Sequence, residues 1–182
     1  FWILRGYSTE ARGSVRDALA LPAVQESPVV HAHTLYLGGT LADSQSDYVA
    51  ARKMLADCLG LRRELGDPRE IAATLSTLAL IRLNEGDAAQ ARESEEEALS
   101  IFRELGDQYG EAIGLQHLGY ICAELGEPAE AAKHLGRCLE LARSIEHLEL
   151  EGESECALGE LSLEANDIPA ARKRFTRSLK VF

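Results

Sequence analysis

The sequence predicts an all-α chain, an array of antiparallel helix hairpins about four and a half repeats long. Three observations predict it: a forty-residue period, apolar stripes of helical spacing inside each period, and helix punctuation at fixed places between the stripes. Alanines stand forty apart at Ala11, Ala51, Ala91, Ala131 and Ala171. Eight residues after each comes Leu19, Leu59, Leu99, Leu139 and Leu179; two further on come Leu21, Leu61, Ile101, Leu141 and Val181. A large apolar residue precedes each alanine, at Phe1, Leu41, Ile81, Ile121 and Leu161. The register holds without a gap over 182 residues.

Residues 107–146 show what one repeat must be. Leu115, Leu118, Ile121, Cys122 and Leu125 recur at spacings of three and four, the apolar stripe of one helix. Gly126 stops it, because glycine takes the left-handed cap conformation readily. Pro128 suits the first turn of the next helix, whose stripe is Ala131, Leu135, Cys138, Leu139 and Leu141. Elsewhere Gly86-Asp87 with Gln90, and Asp67-Pro68 with Glu70, have the pattern of a capping box. Ser27-Pro28 and Asp167 before Pro169 punctuate the remaining junctions. No segment alternates with period two, so no strands are expected. Helices are predicted near 8–21, 29–45, 47–64, 68–85, 87–104, 108–125, 127–144, 148–165 and 167–182, with residues 1–6 as the tail of one more. The array divides into a half repeat at 1–26, then repeats at 27–66, 67–106 and 107–146, and a truncated one at 147–182. A hairpin this narrow buries its apolar faces only by stacking on its neighbours.

Nineteen basic and thirty acidic residues give a net charge of −11. Such a surface repels phosphate backbones and argues against nucleic acid as a direct ligand. The last helix departs from this, with Arg172, Lys173, Arg174, Arg177 and Lys180, and is expected to be a solvated or inter-repeat face. No run of about 18 uncharged apolar residues is present, so no membrane span is expected. The opening residues lack the form of a signal peptide. They also lack an initiator Met and start in mid-repeat, so a fragment of a longer protein is expected. Cys58, Cys122, Cys138 and Cys156 form no C-x-x-C pair, and buried reduced thiols in a cytoplasmic protein are expected. His31 and His33 fall on different faces of a helix, and neither a metal site nor a cofactor is expected.

The repeat resembles the tetratricopeptide repeat. Leu118-Gly119 matches that family's Leu-Gly pair, and Gly126, Ala131, Leu135 and Cys138 follow in its spacing. The period is 40 rather than the family's usual 34, Leu115 and Cys122 hold the usual tryptophan and tyrosine positions, and the terminal prolines are mostly missing. The resemblance implies a right-handed superhelical α-solenoid. The long period and the linkers Arg63-Glu64-Leu65-Gly66-Asp67 and Arg103-Glu104-Leu105-Gly106-Asp107 are similar to the repeat region of bacterial LuxR-type and related signal-transduction ATPases. The opening Phe1-Trp2-Ile3-Leu4-Arg5-Gly6-Tyr7-Ser8-Thr9-Glu10-Ala11-Arg12 also resembles the first repeats of that region. Animal adaptors with long tetratricopeptide repeats are the other group it resembles.

In this family the first helix of each hairpin lines the concave, ligand-binding face. By resemblance that face holds His33, Tyr36, Thr40, Asp43 and Ser44, then Ala73, Ser76, Leu80, Leu83 and Asn84. It continues with Ile113, Gln116, Tyr120, Ala123 and Glu124, and ends on Glu153, Cys156, Glu160, Leu163 and Glu164. None is Lys or Arg, which excludes the cationic clamp some family members use for carboxylate termini. A basic or apolar protein or peptide segment is the expected partner.

Two charges interrupt the stripes. Arg82 stands where the period has Ala42, Cys122 and Ser162, and Glu95 where it has Leu55, Leu135 and Phe175; they are expected to pair, because a lone buried charge would be costly. Phe175, Leu179, Val181 and Phe182 are expected to lie exposed at the array's end and to favour a homodimer. No catalytic constellation is present: Gly38-Gly39 lies inside a stripe as a close-packing site, and Glu153 and Glu160 are a helix-face pair. The expected function is a non-catalytic protein- or peptide-binding module, the regulatory or sensor arm of a larger ATP-binding transcription or signalling regulator. The alternatives are a receptor for a small-molecule or oligosaccharide effector, stacking on Tyr36 and Tyr120, and an oligomerisation scaffold or adaptor.

Overall fold

The computed structural model describes residues 8–181, with side chains from Glu10. The helix tail expected over 1–6, and Phe182, lie outside the described residues. Those residues form helices and turns, with no strand among them. The helices are α1 (Ser8–Leu19), α2 (Pro22–Gln25), α3 (Pro28–Asp43), α4 (Tyr48–Leu65), α5 (Pro68–Asn84), α6 (Ala88–Glu104), α7 (Gln108–Glu124), α8 (Pro128–Ser144), α9 (Leu148–Glu164) and α10 (Ile168–Val181). One helix was expected over 8–21. The chain instead leaves α1 at Leu19 and restarts at Pro22. A proline disfavours the helical region for the residue before it, and Leu21 is extended, at φ −73° and ψ 129°.

The chain divides into two compact units, Phe1–Ser94 and Glu95–Phe182, with the division inside α6. In the first, α3 and α4 make a hairpin, α1 and α2 pack on α3, and α5 packs on α4. In the second, α7 pairs with α8 and α9 with α10, while α9 also packs on α7 and α8. The periodic alanines Ala11, Ala51, Ala91, Ala131 and Ala171 are all buried. They share the interior with Leu55, Cys58, Ile81, Ile121, Leu135 and Cys138.

The backbone repeats at half the interval of the sequence. Positive φ falls at Ser46, Gly66, Gly86, Gly106, Gly126, Glu146 and Asn166, one every twenty residues. Each is the left-handed step that ends a helix. The next residue caps the helix that follows. Asp67 Oδ1 accepts from the N–H groups of Arg69 and Glu70, Asp87 from Gln90, Asp107 from Gly110 and Asp167 from Ala170. Asp47 accepts from Ala50 and binds Arg12 at 2.7 Å, and that bond to Arg12 holds its carboxyl below the usual range. At α5 the capping-box pattern is half used: Asp67 caps, but Glu70 is drawn away to pair with Arg62.

Within the hairpins, glycine lets the helices approach closely. A Cβ on Gly39 would lie 2.6 Å from Leu55 Cγ, on Gly119 2.5 Å from Leu135 Cγ, and on Gly159 2.7 Å from Phe175 Cε1. Each glycine faces the same stripe position of its partner helix. Phe175 therefore packs inside its hairpin, whereas Leu179 is 79% exposed.

Overpacking at such a contact costs about 1–3 kcal/mol. Gly119→Ala should accordingly lower stability by about that much. Gly136→Ala, where a Cβ meets nothing within 4 Å, should raise it by about 0.5–1 kcal/mol, the helix-propensity gain. Urea unfolding followed by circular dichroism checks both signs.

Candidate ligand-binding groove

In the second unit, α7 and α9 border a groove of about 280 Å³ lined by Gln116, Tyr120, Glu153, Cys156, Ala157 and Glu160. The helical spacing explains the set: 116 and 120, and 153, 156, 157 and 160, lie on one face of each helix. Gln116 is only 5% exposed, and its Nε2 donates to Glu153 Oε2 at 3.0 Å. Burial, followed by Glu153 and Glu160, pushes the Tyr120 phenol up to about 12. Tyr120 therefore stays a neutral hydrogen-bonding group at any physiological pH. Burial and then Glu160 push the Cys156 thiol up, which leaves it protonated and a poor nucleophile at neutral pH. Neither Glu153 nor Glu160 is paired with a cation among the described residues.

Three other carboxylates of this unit, Glu155, Glu151 and Glu111, are matched by arginines. Glu155 is completely buried and receives Arg143 and Arg174 at 2.9 Å each and Arg177 at 3.6 Å. Arg143 also binds Glu151 at 2.8 Å, and Arg103 binds Glu111 at 3.0 Å. Arg174 and Arg177, expected on a solvated or inter-repeat face, are thus partly spent on Glu155. Glu155 was missed although the signal was present, since the period places Leu35, Leu75 and Leu115 at its position.

The remaining site positions are spread differently. Around the groove, Ile113 is half-buried and Glu124, Leu163 and Glu164 are exposed. In the first unit, His33 and Asn84 are exposed, while Thr40, Asp43, Leu80 and Leu83 are half-buried and Ser76 is buried. Tyr36 is engaged twice: its hydroxyl bonds Thr77 Oγ1 at 3.0 Å, and the Arg62 guanidinium lies 4.5 Å from its ring centre. Arg62 is itself 4% exposed and bonds Thr74 Oγ1 at 2.6 Å and the Glu70 carbonyl at 3.0 Å. It is a second charge on a stripe that sequence reasoning did not single out, standing where the period has Phe102 and Ala142. Arg82 donates to the Gln90 carbonyl and to Ser94 Oγ, and Glu95, fully buried, bonds His117 Nδ1 at 3.1 Å. Arg82 and Glu95 belong to different units, so their pairing stands as a proposal. Val181 is half-buried. Among the described residues no three His, Cys, Asp or Glu are placed to hold a metal ion, and no helix is long and apolar enough to cross a membrane.

Two measurements follow from this geometry. A titration of phenol absorbance should show a component near about 12 that Tyr120→Phe lacks. The sign is fixed by the raised folded value: the stability Tyr120 lends is complete below the ordinary phenol pKa of about 10 and is lost as pH rises through 12. For Arg82 and Glu95, a double-mutant cycle of Arg82→Met and Glu95→Leu should show coupling of about 0.5–3 kcal/mol. Additive losses would remove the pair.

Comparison with known proteins agrees with this architecture. The tetratricopeptide repeat pattern matches residues 70–144 and 110–182, together more than half of the chain. No curated protein matches the sequence. Among solved structures the chain is similar to BtubC (BKLC) from P. vanneervenii, with TM-score 0.83 and 19% identity over 99% of this chain and 75% of that one. It is similar to the apo form of RapI, with TM-score 0.87 and 16% identity over 99% of this chain and 66% of the other. A Rap protein complexed with competence and sporulation factor superposes with TM-score 0.78 and 16% identity, over 86% of this chain and 44% of that one. With its hairpins, its turns every twenty residues and this family match, the chain belongs to the tetratricopeptide repeat family.

Proposed function

We propose that the chain is a non-catalytic protein- or peptide-binding module, and that the groove between α7 and α9 receives a segment carrying a Lys or Arg side chain beside apolar residues. One observation carries this reading. Glu155, Glu151 and Glu111 are matched by arginines, yet Glu153 and Glu160 line a groove with no cation beside them. A cationic partner would supply that charge, and opposite charge favours both encounter and register. Tyr120 and Ala157 offer apolar surface next to it, and Gln116 holds Glu153 in place. The Rap protein complexed with competence and sporulation factor supports ligand binding by this fold. The effector-receptor alternative loses ground at Tyr36, since one face of its ring is covered by Arg62.

The resemblance to the repeat region of LuxR-type regulators motivates the wider role. The module would be the regulatory or sensor arm of a larger ATP-binding transcription or signalling regulator in the bacterial cytoplasm. The exposed Leu179 and half-buried Val181 would support self-association through the end of the array.

A display selection of random peptides tests the binding reading. Selected sequences should be enriched in Lys or Arg next to an aliphatic residue. Their affinity should fall at least about tenfold on Glu160→Lys, a loss of about 1.4 kcal/mol, and weaken with added salt. Peptides without a cation, or binding indifferent to Glu160→Lys and to Tyr120→Ala, would defeat it.

A further inference from the structure

Six of the linkers place a side-chain acceptor on the first turn of the next helix, and five of those acceptors are aspartates. Asp47, Asp67, Asp87, Asp107 and Asp167 use a carboxylate. The sixth is His147. Its Nδ1 accepts the Leu150 N–H at 3.2 Å and so caps α9, the helix that carries Glu153, Cys156 and Glu160. An imidazole can do this only through an unprotonated Nδ1, with the proton on Nε2. An imidazolium has donors alone, and its charge would sit at the positive end of the helix dipole.

We infer that His147 is a pH-sensitive cap, which releases the first turn of α9 on protonation while the acid-capped helices keep theirs. A histidine gains its proton on the acid side of neutrality, around pH 6.5, whereas aspartates remain acceptors down to about pH 4. The cap is therefore present while the ring is neutral and lost when it is protonated. The ring is half-buried, open enough to exchange a proton with water. Tyr109 of α7 lies against it, with ring centres 5.2 Å apart. Glu146 and Glu149 are exposed neighbours in sequence, and Glu151 is held by Arg143 of α8. The ring contacts the Leu150 N–H and Tyr109, and among the described residues no ion pair competes for Nδ1. The turn that opens stands directly before Glu153, so the groove's acidic wall would loosen under mild acid. This inference stands whether or not a peptide binds there.

The test compares thermal unfolding of the 182-residue chain with that of its His147→Asp and His147→Ala variants, at pH 7.5 and 5.5. His147→Asp carries an acceptor at both values and His147→Ala at neither. The Tm advantage of His147→Asp over wild type should widen by about 2–4 °C on going to pH 5.5, the size of one lost cap in a chain this long. Its advantage over His147→Ala should stay constant. Over the same change, Leu150 amide protection, corrected for intrinsic exchange, should fall in wild type and hold in His147→Asp. A Tm advantage equal at the two pH values, or a widening without loss of protection at Leu150, would overturn the inference.

Discussion

The structure depends on a three-residue linker in which one residue serves two helices. Asp87 donates its N–H to the Arg82 carbonyl at 2.8 Å, closing α5, and its carboxylate accepts from Gln90 N–H at 3.2 Å, opening α6. Asp107 does the same between Phe102 and Gly110, and Asp167 between Ser162 and Ala170. The first bond belongs to the Schellman motif, which needs a left-handed residue just before it. That requirement explains the positive φ every twenty residues. Where glycine is absent, at Ser46, Glu146 and Asn166, the chain adopts the conformation anyway, at a cost of about 1–2 kcal/mol for an ordinary residue. Closing one helix and opening the next on the same residue fixes helix length. The helices from α5 to α9 each have 17 residues. The same contact recurs inside the hairpins, where Gly39 meets Leu55 as Gly119 meets Leu135.

What is local in this fold was legible from the residues. Gly126 and Pro128 mark a helix end and a helix start because their own backbone chemistry demands it. The alanines forty apart are buried because every hairpin repeats one packing site. What depends on distant partners was not legible. Glu155 could have been picked out as a charge on an apolar stripe, but its arginines come from α8 and α10 at positions no spacing rule selects. Arg62 and Tyr36 are the same case: the period marks Arg62 as a charge on a stripe, but the two stack on each other only because α3 and α4 are paired. The break at Pro22 was local, yet it was hidden because the apolar pattern continues to Leu21.

The same distinction bears on the groove. A buried charge that is left unpaired is expensive, so an interior carboxylate persists only with cations around it. Glu155 meets that condition with three arginines, and the buried Arg62 is matched in turn by Glu70. At the surface water carries the cost, and nothing compels a match. Glu160 is exposed, so its lack of a cation would by itself be ordinary. Its position is what gives it weight. It shares a concavity with Tyr120, whose phenol is burdened by both burial and the two carboxylates, and with Gln116, a buried amide fastened to Glu153. An acidic wall beside a half-buried aromatic ring is a surface that a cation on an apolar stem can cover. A lysine or arginine side chain has that form: its methylenes can lie on Tyr120 while its charge reaches Glu160.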